Sequence, residues 1–220
     1  MPAKNSIKQY VENSFYHIYN RGVDKRIIFI QDLDYQMFLS YLKNYLSTLS
    51  LQQVRPVRKS TLFLEIDLIA YCLMPNHFHL LIKQKSAKSI IKFMRCLTNA
   101  YTRYFNTRHK RIGHLFQGKY KASLITEDLY LLQLSRYIHR NPLELFRSDL
   151  HKILSEYPYS SYKDFLGLRN TVWVKPNEVL NFFALDKQKN NLDLNYQGFV
   201  EQFNKDENDI NEFILEDNVE

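Results

Sequence analysis

The sequence predicts an α+β fold of the ferredoxin-like, split βαβ kind, with one antiparallel sheet, two crossover helices on one face and an added helix on the other. Three observations predict it. The elements read strand, helix, strand, strand, helix, strand and then a further helix. Two strongly apolar stretches, LIAYCLM (68–74) and HFHLLIK (77–83), are separated only by Pro75-Asn76, which calls for an antiparallel hairpin. A chain of 220 residues that is 45% hydrophobic has material for one substantial core.

Taken in order, FYHIYN (Phe15–Asn20) is a strand closed by Arg21-Gly22, where glycine permits a turn. Residues Asp34–Leu49 place Tyr35, Phe38, Leu39, Leu42, Leu46 and Leu49 at helical spacing. A basic, proline-containing loop, QQVRPVRKS, leads to a strand over Leu62–Met74, and the hairpin returns through His77–Lys83. A second helix, about Ala87–Asn106, carries an apolar stripe of Ile90, Met94, Leu97, Tyr101 and Tyr104, with Lys92, Arg95 and Arg103 off it. The basic and aromatic segment RHKRIGHLFQGKYK then runs into a strand over Lys119–Ile125. The added helix spans about Asp128–Arg140 and stops near Asn141, because Pro142 disfavours helical geometry just before it. In this topology the first and third strands are neighbours at the sheet centre, so the HFH strand is central. Residues 1–141 form the main body, 142–203 a C-terminal helical extension packed on it, and 204–220 an acidic tail that is a loose amphipathic helix or disordered.

Composition narrows the partners. The chain is +7 overall, but residues 201–220 hold eight acids and one lysine, leaving 29 basic and 15 acidic side chains in the first 200. A basic body points to a polyanion, most simply nucleic acid, against the alternative of ordinary solubility charge. The 16 tyrosines and 15 phenylalanines, many beside Lys or Arg, provide stacking faces next to phosphate-binding groups. Two cysteines exclude a disulfide framework or a Cys-rich zinc site. No window approaches 18 apolar residues and the start lacks the apolar core of a signal peptide, so no membrane association and a cytoplasmic location are expected.

His77 and His79 are the anomaly of the apolar hairpin. An imidazole in a core needs its donor and its acceptor matched. On a strand the two project from one face, with Phe78 and Leu80 on the other, a natural pair of metal ligands on a rigid element. On the added helix, Tyr137 and Asn141 are four apart and share a face, so a hydroxyl and an amide oxygen can approach one point. Taken alone, Tyr137 reads more readily as a core aromatic than as a site residue, and Asn141 more readily as a helix C-terminal residue before proline. Two other readings stay open. One is a non-catalytic nucleic-acid-binding sheet. The other is a zinc enzyme whose third ligand would have to be Asp67, Glu65 or His17.

The phrases FYHIYNRG, AYCLMPNHFHLLI, GHLFQGKYKASLI and YLLQLSRYIHRNPLE, in this order and spacing, resemble the single-tyrosine transposases of the HUH superfamily, and within it the REP-associated tyrosine transposase branch. The resemblance runs from about Phe15 to Phe203. It implies a catalytic domain over 1–141 that cleaves and rejoins single-stranded DNA, with hairpin-forming repeats as partner. It implies Tyr137 as nucleophile, forming a 5′-phosphotyrosine, with His77, His79 and Asn141 as ligands of Mg²⁺ or Mn²⁺; such a half-filled N,N,O shell favours Mn²⁺ on the imidazoles. Family members occur as monomers and as dimers that exchange the tyrosine helix. Arg21, Arg108, Lys110, Arg111, His114, Lys119, Tyr120 and Lys121 are then candidate DNA contacts, with His109 in the same basic run and Phe116 and Tyr120 as stacking platforms. Tyr120 ranks below Tyr137 as a nucleophile because it lies on the edge strand. His17, on the neighbouring strand, is a candidate supporting residue behind the histidines. His139 departs from the family pattern, and the tail beyond 203 has no match.

Overall fold

Alternation along the strands decides how the molecule is layered. The computed structural model describes residues 10–47, 62–145, 154–187 and 195–202. Its elements are β1 (Ser14–Arg21), α1 (Asp32–Leu46), the single turn α2 (Leu62–Glu65), β2 (Ile66–Met74), β3 (His77–Gln84), α3 (Ser89–Arg108), β4 (Lys121–Ile125), α4 (Asp128–Arg140) and a 3-10 turn at Asn141–Leu145. Short helices follow among the described residues, including α5 (Tyr162–Phe165), α6 (Asn177–Lys187) and α7 (Tyr196–Glu201). The sheet order is β2-β3-β1-β4, antiparallel throughout, so the HFH strand is central.

Tyr16, Ile18, Phe78, Leu80 and Ile82 enter a core with Phe38 and Leu42 of α1 and Phe93, Leu97 and Tyr101 of α3. The opposite face packs Leu81, Ile69, Cys72 and Ile125 against Leu131, Leu134 and Ile138 of α4 and against Leu154, Tyr157, Tyr162, Val179 and Tyr196 beyond it. Each face thus has its own apolar cluster, with α1 and α3 on one side and α4 with the C-terminal helices on the other.

Several boundaries differ from the sequence expectation. The strand expected from Leu62 begins at Ile66, because Leu62–Glu65 form a helical turn. α1 starts two residues early and ends at Leu46, α3 runs to Arg108, and β4 begins at Lys121. A bulge between Leu68 and Ala70 shifts the register of β2, so that Ile69 and Ala70 both join the α4 face while Leu68 and Tyr71 join the other. Gly22 has ordinary extended backbone; it is glycine because a Cβ there would meet the Arg26 carbonyl at 2.3 Å, a close approach and not a positive φ. Asn141, before Pro142, keeps helical backbone and leads into the 3-10 turn, although the α-helix itself ends at Arg140. The exposed edge of β2 is covered by the C-terminal segment: Leu73 N–H donates to the Tyr159 carbonyl and Ser161 N–H to the Tyr71 carbonyl. The basic loop 52–60 and the acidic tail 204–220 lie outside the described residues. Among those described, no helix is long and apolar enough to cross a membrane.

Candidate functional site

The register of the two central strands brings the histidines together. Tyr19 lies opposite His79 and Arg21 opposite His77, while Tyr19 pairs on its other side with Lys121 of β4. His77, His79, His17, Tyr19 and Lys121 therefore share the face that α4 covers. His17 and His79 are buried, and His17 Nε2 lies 2.9 Å from His79 Nδ1. One nitrogen of that pair must donate and the other accept; with the proton on His79 Nδ1, its Nε2 carries the lone pair that a cation needs. Tyr19 stacks on His17 with ring centroids 4.8 Å apart.

α4 brings Tyr137 and Asn141 over this cluster. The Tyr137 ring meets the His79 ring edge-on at 5.3 Å and the His17 ring at 6.3 Å. Asn141 Nδ2 donates to the Tyr137 carbonyl, which directs Oδ1 toward His77 Nε2, 3.3 Å away. On the other side of its ring, His77 Nδ1 donates to Asn76 Oδ1 at 2.6 Å, and Asn76 Nδ2 in turn reaches the Lys25 carbonyl. When neutral, with its proton on Nδ1, His77 turns a lone pair toward the lone pair of an amide oxygen. Two acceptors that close are compatible only with a cation or a proton between them. The donor set fits a divalent ion held by His77, His79 and Asn141.

Of the third ligands open to a zinc site, His17 does lie beside the pair, but its Nε2 is spent on His79 Nδ1. Glu65 and Asp67 lie at the far end of the hairpin, where Glu65 accepts from Ser89 and Lys92 and Asp67 pairs with Lys85. Among the described residues no three His, Cys, Asp or Glu side chains are grouped to hold a metal.

Beside the histidines is a cleft of about 320 Å³ lined by Arg21, Lys119, Lys121 and Glu144, among others. It adjoins a larger groove of about 1150 Å³, since Asn20, Gln117 and Lys119 line both. The larger groove lies along α3, whose Arg95, Thr98, Asn99, Thr102 and Arg103 line it together with His114 and Tyr120. Sequence reasoning missed most of this face. Its signal was present in the spacing of 95, 98, 99, 102 and 103, one outward stripe of a helix. Glu144 and Asn76 were missed as well, because turn residues carry no periodicity.

Other candidates stand elsewhere. Arg108 lines neither groove; with Tyr41 and Tyr104 it borders a separate recess. His109 is an internal partner of buried Asp34, at 3.0 Å. Burial alone would raise the Asp34 carboxyl, but the His109 hydrogen bond, two backbone amides and the Tyr104 hydroxyl outweigh it and hold it below its usual range. Arg111 bonds Asn106 and lies over the Phe105 ring, and Lys110 is exposed with φ 50°. Phe116 is not a stacking platform: it is buried against Phe78 and Tyr101. Tyr120 is half-buried, its hydroxyl 2.6 Å from that of Tyr10, and it faces the α3 groove, away from the histidines. His139 points away from the site into the C-terminal segment, where burial pushes it down to about 3 and keeps it neutral.

The fold and the site define a class: a ferredoxin-like sheet with paired histidines on its central strand, facing a helix that carries a tyrosine. Residues 10–141 match the family model described as IS200-like transposase, more than half of the chain, and the protein belongs to that family. Its fold is also that of a REP-associated tyrosine transposase solved with a REP hairpin bound, at TM-score 0.54 and 12% identity over 78% of this chain and 97% of that one. A Deinococcus radiodurans R1 protein assigned by inference as a transposase matches at TM-score 0.38 and 17% identity, over 61% of this chain and 95% of that one, too low to carry argument. No curated protein sequence matches the chain.

Proposed function

We propose that this transposase is a divalent-metal-dependent enzyme of the REP-associated branch, cleaving and rejoining single-stranded DNA in the cytoplasm through a 5′-phosphotyrosine at Tyr137. The observation that carries the reading is the convergence on one sheet face: Tyr137 edge-on to His79, and Asn141 Oδ1 turned toward the His77 lone pair. In the step proposed, Tyr137 Oη attacks phosphorus. The Oη–P bond forms, the P–O3′ bond breaks, and the 3′-oxygen leaves and takes up a proton, while the phenol proton passes to solvent or a neighbouring base. The bond energy is kept for rejoining, so no water nucleophile is needed. Tyrosine, with a pKa of ~10, is a weak nucleophile near neutrality, and a cationic surround favours its phenolate. A bound Mg²⁺ or Mn²⁺ would polarise the scissile phosphate and offset charge that builds in the transition state. Arg21, Lys119 and Lys121, which line the adjoining cleft, would hold the neighbouring phosphates.

The partner proposed is a hairpin-forming single strand. The structural relative was solved with a REP hairpin, and the α3 groove offers guanidinium, hydroxyl and amide groups suited to a backbone. The test is incubation with single-stranded hairpin DNA from the flanks of its own gene, with and without Mn²⁺. A denaturation-resistant adduct that requires the ion and maps to Tyr137 is expected. Tight binding with no adduct in any metal would leave a binding protein and sink the catalytic reading.

A further inference from the structure

His139 is fully buried two residues beyond Tyr137, on the side of α4 that faces the C-terminal segment, and both of its nitrogens are used. Nδ1 lies 2.7 Å from the Tyr196 hydroxyl and Nε2 2.8 Å from Ser161 Oγ. The direction of each bond follows from the groups at the ends. Ser135 Oγ donates to the Leu132 carbonyl, so it accepts from Tyr196 Oη, and Tyr196 must accept from His139 Nδ1–H. Ser161 Oγ already accepts from Tyr71 N–H, so its own proton is available to His139 Nε2, nearer than the alternative Tyr71 carbonyl at 3.2 Å. The result is a one-way chain from the β2 backbone through Ser161, His139, Tyr196 and Ser135 to the α4 backbone. Neutral imidazole has the one donor and one acceptor, on opposite sides of a rigid ring, that this chain needs.

We propose that His139 is a positioning residue: its relay clamps the tyrosine helix to β2 and to the chain's own C-terminal segment, and so holds Tyr137 in place over the histidines. The described residues 154–187 and 195–202 are then part of the catalytic unit. The same junction is tied by Arg140 donating to the Val200 carbonyl at 2.6 Å and by Arg136 over the Phe199 ring. The proposal rests on the catalytic reading for Tyr137, but the clamp has a readout of its own.

The experiment uses the full chain with His139→Leu and, leaving α4 itself untouched, Tyr196→Phe. Hydrogen exchange across 128–140 should accelerate in both variants; unchanged exchange in folded Tyr196→Phe overturns the clamp whether or not the protein cleaves DNA. On hairpin DNA, the single-turnover adduct rate at saturating strand should fall about a hundredfold with DNA affinity within about twofold, and His139→Gln, which keeps one donor and one acceptor, should recover part of it. A wild-type rate in both variants overturns the positioning role. Absence of adduct from the wild-type protein overturns the catalytic reading instead.

Discussion

Along β3, Phe78, Leu80 and Ile82 enter the core beneath α1 and α3, while His77, His79, Leu81 and Lys83 face the other way. The two faces come from the same strand and differ in what they leave matched. Beneath α1 and α3 nearly every contact is apolar, and Phe78 sits between Phe38 and Phe116 with ring centroids 5.2 and 5.8 Å away. The α4 face divides again. Its inner part is closed by the His139 relay, whereas its outer end gathers the hydrogen-bonded His17 and His79 with His77, whose Nε2 faces Asn141 Oδ1. Where polar groups are matched they hold structure; where an amide oxygen faces an imidazole nitrogen, a bound cation can complete the pair.

Four measurements would break or sharpen that contrast. The largest effect is expected at the outer end: Tyr137→Phe should reduce adduct formation below detection while urea stability and Mn²⁺ affinity, read by titration calorimetry, remain near wild type. An adduct at Tyr120 in that variant would name the wrong nucleophile here. Phe78→Ala, on the opposite face of the same strand, should instead cost roughly 3–5 kcal/mol in urea unfolding through the cavity it leaves.

The third measurement concerns pH. His139 is pushed from the usual imidazole range to about 3 by burial, so the unfolded chain binds its proton first. The stability from its neutral form is present above the unfolded value and is lost as pH falls toward the folded one. Lowering the pH from about 8 to about 5 should therefore destabilise the fold by roughly 2 kcal/mol, with much of that dependence missing in His139→Gln. A pH-independent melting temperature across that window would mean that the relay is not sealed.

The smallest effect is on binding. Arg95→Ala with Lys119→Ala should lower the salt dependence of single-strand affinity by roughly one unit of slope per lost phosphate contact, and Arg108→Ala, which lines neither groove, should leave it unchanged. The reverse pattern would put the strand on the other side of α3.

The sequence by itself determined the order of elements, the hairpin at Pro75-Asn76, the shared face of His77 and His79, and the helical pairing of Tyr137 with Asn141. All of these follow from periods of 2.0 and 3.6 residues and from short connections, which are local properties of the chain. Only the tertiary structure decided the rest. The bulge at Leu68–Ala70 reverses which face each half of β2 presents, and no alternation in the sequence reports it. His109 left the basic run for Asp34, 75 residues earlier, and Phe116 left the surface for the core. His17 reached His79 across 62 residues, and His139 found Ser161 and Tyr196 in a segment with weak periodicity. Each depends on which partner a polar or aromatic group meets once distant strands and helices are packed, and a partner's direction, distance and proton are set by that packing alone.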